Sequence, residues 1–327
     1  MKVVETNAEQ HAPLLEVMDD PLNRFFRYPA AKALLPLFKN SSITPNQVTY
    51  FHTMVGIAAA TFVAQGSKSG LVIAFVLSEV RFVLDCFDGV LARAKKINSP
   101  YGRTLDALGD AVSYIALCIG VYIHIQNKVP AHHGVLVMCT MMAVGGLMAW
   151  VHDFYKRKFA TALKSGADAV YDDLLAKHRR LDDPSAGFVT KFGFGFDWMQ
   201  VVLLQPATRR DFKAHLEANN ETPPDIGIAE VQYIVKNAQA RNLRAAFRAI
   251  SLMSGDNVMA ILNVGLLVAA LASADNTGVG LITMEMAVIV YGIFTLGFGI
   301  FASNLFLHGG RSRREVEALA TSRHSVH

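Results

Sequence analysis

The sequence predicts an all-α integral membrane protein with six transmembrane helices. The chain has 327 residues, 52% of them hydrophobic, and its mean hydropathy of +0.29 is higher than that of an ordinary soluble protein. Segments of about 20 mostly apolar residues, long enough to cross a bilayer, recur along it. Lys and Arg are abundant in every second connecting loop and scarce in the loops between, as the positive-inside rule requires. We place the spans near Gln47–Ala64, Gly70–Leu91, Leu105–Ile125, His133–Phe154, Asp256–Ala274 and Gly280–Leu307.

The loop charges also predict sidedness and partners. Basic residues crowd before the first span, between the second and third, between the fourth and fifth, and after the sixth. Both termini are therefore expected in the cytoplasm, and we expect a bacterial inner membrane. The net charge is +4, and the sequence has no basic cluster interleaved with aromatic residues, so a nucleic-acid partner is not expected. Anionic membrane lipids suit the basic loops better, and a homodimer stays open.

Polar segments divide the chain into five regions. The first ends in a basic and aromatic stretch typical of an amphipathic interfacial helix, in which Pro29 and Pro36 predict a break. The third is too polar to span and is expected to shape the entrance for a substrate. The regions are 1–40 (cytoplasmic segment and amphipathic helix), 41–155 (spans one to four), 156–252 (cytoplasmic or interfacial helical insertion), 253–308 (spans five and six) and 309–327 (cytoplasmic tail).

Four aspartates lie at the predicted cytoplasmic edge of spans two and three. Asp85 and Asp88 share one helix face, and Asp106 and Asp110 share another, because residues three or four apart are neighbours on a helix. A proline and a glycine in the connecting "ARAKKINSPYG" predict antiparallel neighbouring helices whose four carboxylates converge. Divalent cations are the economical way to hold such carboxylates ionised. An oxygen-only set predicts Mg²⁺, Mn²⁺ or Ca²⁺, since zinc more often brings His or Cys ligands.

Small and basic residues beside the aspartates suit a phosphate-bearing ligand. Gly89 and Ala92 leave room for a substrate to approach the backbone, and Arg93 offers a cationic fork to phosphate oxygens. Metal and arginine beside a small-residue cleft indicate diphosphate chemistry. Deeper in span two, Glu79 and Arg81 leave two interpretations open: an ion pair, or the lining of a polar acceptor pocket.

The order of these residues, D-x2-D-G-x2-A-R-x8-G-x3-D-x3-D within residues 85–110, resembles the signature of the CDP-alcohol phosphotransferase family. "TPNQVT", before the first span, resembles the same family, and the likeness covers residues 34–125. It implies a membrane enzyme that moves a substituted phosphate from a CDP-linked donor to an alcohol and releases CMP. It also implies a requirement for two divalent cations, Mg²⁺ or Mn²⁺.

The resemblance further implies individual roles. Asp85, Asp88, Asp106 and Asp110 would bind the metals, with Asp110 also acting as the base on the acceptor hydroxyl. The cytidine diphosphate site would be lined by Gly89, Ala92, Arg93 and Gly102 and bordered by Asn46 and Thr49. CDP-diacylglycerol is the first choice of donor, because the aspartates would lie near headgroup depth. The alternatives are CDP-choline or CDP-ethanolamine with a lipid alcohol and, from another class, a cation-binding membrane transporter.

Overall fold

Every regular element that the described residues form is a helix, which confirms the predicted all-α class for them. The computed structural model describes residues 4–97, 102–126, 130–181, 183, 187–206, 208–271 and 310–324, and parts of 280–297. The α-helices are α1 (Ala8–Leu15), α2 (Tyr28–Phe38), α3 (Pro45–Gln65), α4 (Lys68–Lys95), α5 (Gly102–Ile125), α6 (Ala131–Ser165), α7 (Ala169–His178), α8 (Phe188–Leu204), α9 (Arg209–Glu217), α10 (Asp225–Lys236), α11 (Arg241–Leu252), α12 (Gly255–Leu271) and α13 (Gly310–His324).

The chain forms two compact units. The motif unit comprises Asp20–Leu147 and Gly255–Phe294, and the insertion unit comprises Met1–Asp19, Met148–Ser254 and Thr295–His327. Helix α6 contributes residues to both. The first residues of the chain fold with the insertion unit because Leu14 and Met18 are buried in its hydrophobic core.

Two helices are long and apolar enough to cross a membrane. They are α5, with a mean hydropathy of 1.6, and α6, with 2.0, and α11 and α12 together form a third candidate that is bent by 43°. These helices coincide with predicted spans three, four and five. Helices α3 and α4 also form, with 21 and 28 residues, but their polar residues lower their hydropathy, so spans one and two stay predictions. The predicted sixth span lies mostly outside the described residues.

Apolar side chains follow the outward faces of the motif-unit helices. Val112, Ile115, Ile119 and Ile123 recur at helical spacing along α5, and each is 40–44% exposed. A similar stripe, with Val72, Ile73, Val76 and Val80, runs along α4. Contiguous apolar surface of this kind is unfavourable in water and suits contact with lipid. The motif unit therefore has the surface of an integral membrane protein.

The helix break that Pro29 and Pro36 predicted before α3 does not form. The segment stays helical and contains a π-helical turn at Asn23–Arg27, in which the Tyr28 N–H donates to the Asn23 carbonyl. Pro29 follows directly and has no N–H to donate, so the wider turn accommodates it without interrupting the helix. Phe25 is 74% exposed, whereas Arg27 is fully buried. The interfacial placement of this segment stays a prediction.

The insertion unit has a hydrophobic core of its own, built mainly from aromatic and aliphatic side chains. Helix α8, with 17 residues, is shorter than a span, as predicted, and exposes apolar side chains along one face. The aromatic side chains at the centre of the core come from α6, α7, α9 and α11. They are Phe154, Tyr155, Phe159, Tyr171, Phe212 and Phe247, all at most 1% exposed.

Candidate metal centre

Helix α3 organises the centre because it packs along both α4 and α5. Its start is fixed by a capping box: Thr44 Oγ1 accepts from Gln47 N at 3.3 Å, and Gln47 Oε1 accepts from Thr44 N at 2.9 Å. The sequence predicted α4 and α5 as direct neighbours, but the extensive packing of each is with α3. Gly109 on α5 permits the close approach, since a Cβ there would overlap Thr53 Oγ1.

Three of the predicted aspartates converge on a histidine from α3. His52 Nε2 lies 3.7 Å from Asp85 Oδ1, 3.6 Å from Asp88 Oδ2 and 3.9 Å from Asp106 Oδ1. One ligand atom from each of the four residues lies within 4.8 Å of the others. The His52 side chain is 0% exposed, and neither of its ring nitrogens has a hydrogen-bond partner among the described residues. The predicted oxygen-only set is therefore incomplete, because an imidazole belongs to the cluster.

Thr49 contacts a predicted metal-site residue, and its role at the border of a nucleotide site stays a prediction. Its Oγ1 donates to Asp88 Oδ2 at 2.6 Å and lies 3.3 Å from the Pro45 carbonyl. A buried hydroxyl that donates to a carboxylate fixes the orientation of that carboxylate. Thr49 and His52 are three residues apart on α3, so one face of this helix supplies both groups.

Asp110 lies outside the four-residue cluster. Its Oδ1 accepts from Arg81 Nη2 in a direct ion pair, and Glu79 pairs with Arg27, so the ion pair considered between Glu79 and Arg81 does not form. Asp110 is partly exposed, with 46% of its side chain accessible. The ion pair restrains the orientation of this carboxylate, and the role of Asp110 as a base stays a prediction.

The residues predicted to bind cytidine diphosphate lie at helix ends. Gly89, Ala92 and Arg93 are on the last two turns of α4, Gly102 is the first residue of α5, and Asn46 is in the first turn of α3. Arg93 is exposed and folds back over Gly89, where a Cβ would lie 3.5 Å from its Nη1. The nucleotide-binding roles of these residues stay predictions.

A second polar network joins the π-helical turn to α4 and α12. Arg27 Nη2 lies 3.2 Å from Glu79 Oε1, and Asn263 Nδ2 donates to the same oxygen at 2.7 Å. Asn23 donates to Asp256, and the Arg27 guanidinium stacks over the Phe82 ring at 4.0 Å. The sequence missed the burial of Arg27, because the surrounding "NRFFR" reads as an interfacial segment.

The cluster fits a divalent cation. Carboxylates supply hard oxygen ligands, and a buried imidazole nitrogen without a hydrogen-bond partner supplies a further one. The helical bundle, its apolar outward surface and this cluster define an integral membrane protein with a candidate metal centre built from three helices.

Comparison with known proteins finds a similar family. Residues 42–169 match the family model of the CDP-alcohol phosphatidyltransferases. A ceramide phosphoethanolamine synthase of Drosophila melanogaster is 28% identical over 130 residues, which are 37% of this chain. The chain matches about a third, 33%, of the length of that relative. No solved structure was found to match.

Proposed function

We propose that the protein is a membrane-embedded, divalent-metal-dependent transferase that moves a substituted phosphate from a CDP-linked donor to an alcohol and releases CMP. The observation that carries the proposal is the cluster of the buried His52 and three partly exposed aspartates, within a segment that matches the model of a family that uses these substrates. When bound, the cations would neutralise the diphosphate and the charge that develops on the leaving phosphate. Arg93 would bind phosphate oxygens, and Asp110 would take the proton of the acceptor hydroxyl.

Two donor classes are compatible with the motif. With CDP-diacylglycerol, the predicted donor, the transferred group would itself carry the lipid chains. The name of the Drosophila relative instead places phosphoethanolamine on ceramide, a lipid alcohol. That name favours the second candidate, a soluble donor such as CDP-ethanolamine with a lipid alcohol as acceptor. A cytoplasmic site and a bacterial inner membrane stay predictions, and a transporter function has no support.

A donor screen tests the proposal. Purified full-length protein would receive Mg²⁺ or Mn²⁺, one labelled donor (CDP-diacylglycerol, CDP-choline or CDP-ethanolamine), and a mixture of lipid and polar alcohols. We expect CMP and a new labelled lipid in equal amounts with one donor class, and neither product with the Asp88→Asn variant. Absence of CMP release with every donor would contradict the proposed function.

A further inference from the structure

We infer that His52 is a nitrogen ligand of the divalent metal, which makes the centre a mixed nitrogen and oxygen site with a preference for Mn²⁺ over Mg²⁺. The inference rests on the proposed function only in assuming that the cluster holds a divalent cation. The four-aspartate signature does not include a histidine.

The distances around His52 match a shared ion better than hydrogen bonds. Its Nε2 is 3.6–3.9 Å from three different carboxylate oxygens, beyond the length of a hydrogen bond to any of them. Asp106 Oδ1 also has no hydrogen-bond partner among the described residues. Buried polar atoms are nearly always satisfied, so unsatisfied atoms that face one another call for a partner between them.

The fold holds the ring in this position. Gly109 on α5 lies directly beside the imidazole, since a Cβ there would be in van der Waals contact with His52 Cε1 at 3.6 Å. Thr49, one turn earlier on α3, fixes Asp88 on the other side. The nitrogen ligand therefore comes from a helix packed on both sides, and little reorganisation is needed to bind an ion.

The ligand type predicts the metal preference. Mg²⁺ is a hard cation that demands oxygen ligands and keeps several waters. Imidazole suits first-row transition metals better, and among the predicted ions only Mn²⁺ belongs to that row. Replacing the imidazole by an oxygen donor should therefore lower Mn²⁺ affinity more than Mg²⁺ affinity.

Electron spin echo envelope modulation of bound Mn²⁺ provides a test that does not depend on turnover. Full-length protein with substoichiometric Mn²⁺ should show coupling to a directly bound ¹⁴N, and labelling with [¹⁵N]histidine should convert it to a ¹⁵N pattern. The His52→Gln variant should lose the coupling and bind Mn²⁺ about tenfold more weakly, with a smaller loss for Mg²⁺. The control, His133→Gln, changes an exposed histidine of α6 and should keep both.

Several results would overturn the inference. The first is an absence of nitrogen coupling in the wild type, and the second is coupling that persists in His52→Gln. The third is an equal loss of Mn²⁺ and Mg²⁺ affinity in His52→Gln, because a purely structural role of His52 would weaken the binding of both ions alike. The isotope experiment uses the wild type, so it decides even if His52→Gln does not fold. Nitrogen coupling without CMP release would contradict the proposed function alone, and CMP release without nitrogen coupling would contradict this inference alone.

Discussion

Two groups of clustered carboxylates, one in each unit, are balanced in different ways. In the insertion unit, Arg157 Nη1 lies 2.9 Å from Asp173 Oδ2 and 3.3 Å from Asp197 Oδ2, and its Nη2 is 3.7 Å from Asp153. Lys177 Nζ adds a second cation 2.7 Å from Asp197. These carboxylates have permanently charged partners at ion-pair distance, so the group is complete as it stands.

In the motif unit, the group shared by Asp85, Asp88 and Asp106 is a single imidazole. It carries a charge only when protonated, and it lies 3.6–3.9 Å away from each of them. The comparison teaches that a cluster of acidic residues does not by itself indicate a metal. The partner decides: arginine side chains at ion-pair distance balance the carboxylates directly, whereas an imidazole nitrogen can share a bound cation with them.

The largest expected effect is on turnover. Asp110→Asn keeps the shape and one oxygen but removes the basicity, so transfer should fall on the order of 10³-fold while binding of the CDP donor stays measurable. Turnover and donor affinity at saturating Mn²⁺ check this. Asp173→Asn, in the Arg157 group, is the matched control and should leave turnover unchanged. Near-normal turnover of Asp110→Asn would reject the base assignment but not the metal site.

The next effect is on folding stability. Asp197→Asn leaves the buried Arg157 and Lys177 without their shared carboxylate and should lower the free energy of unfolding by about 3 kcal/mol, with or without metal. Asp88→Asn removes one of several mutually repelling carboxylates, so it should not destabilise the metal-free protein. Chemical unfolding of both variants in EDTA measures the difference. A large loss for Asp88→Asn in EDTA would break the contrast between the two groups.

Metal should stabilise only the motif unit. An ion that binds the folded state stabilises it by about 2.7 kcal/mol at a concentration 100 times its dissociation constant. Thermal unfolding of the wild type should therefore move to higher temperature with Mn²⁺ and return with EDTA. The shift should disappear in Asp85→Asn and persist in Asp173→Asn. A shift of equal size in Asp85→Asn would place the ion elsewhere.

The sequence allowed the aspartates to be predicted because their signal is local. Positions three and four residues apart define helix faces, and the motif orders Asp85, Asp88, Asp106 and Asp110 within 26 residues. His52 lies in an apolar stretch, "VTYFHTMV", where a histidine reads as packing. Its role depends on the position of α3 against both α4 and α5, which no local pattern encodes.

Arg27 shows the same limit. It directly follows two exposed phenylalanines, Phe25 and Phe26, so its sequence context indicates a surface, and its ion pair with Glu79 from α4 accounts for its burial. One weak signal was present for His52: Thr49, His52 and Gly56 follow one another at helical spacing. Such a polar and small stripe within an apolar helix indicates a face turned towards other helices.

The smallest expected effect concerns a buried carboxylate that lacks the other features of a metal site. Asp168 in the insertion unit is fully buried, its Oδ1 caps α7 by accepting from Val170 N and Tyr171 N, and its Oδ2 has no hydrogen-bond partner among the described residues. Burial raises the pKa of Asp168 above its ordinary value of 3.8, although Lys158 opposes the shift. The folded state therefore holds this proton more tightly than the unfolded chain. Its stabilising contribution is complete below pH 3.8 and is lost as the pH rises through the higher folded pKa.

Asp168→Asn keeps the cap, since asparagine caps helices as well as aspartate does, and removes the titration. Its stability should fall less than that of the wild type between acidic and neutral pH, without any response to Mn²⁺, and unfolding measured across that range checks both. Identical pH profiles for the two proteins would show that Asp168 does not titrate in this range, and a Mn²⁺ response specific to the wild type would show that a lone unpartnered carboxylate is enough to bind the ion.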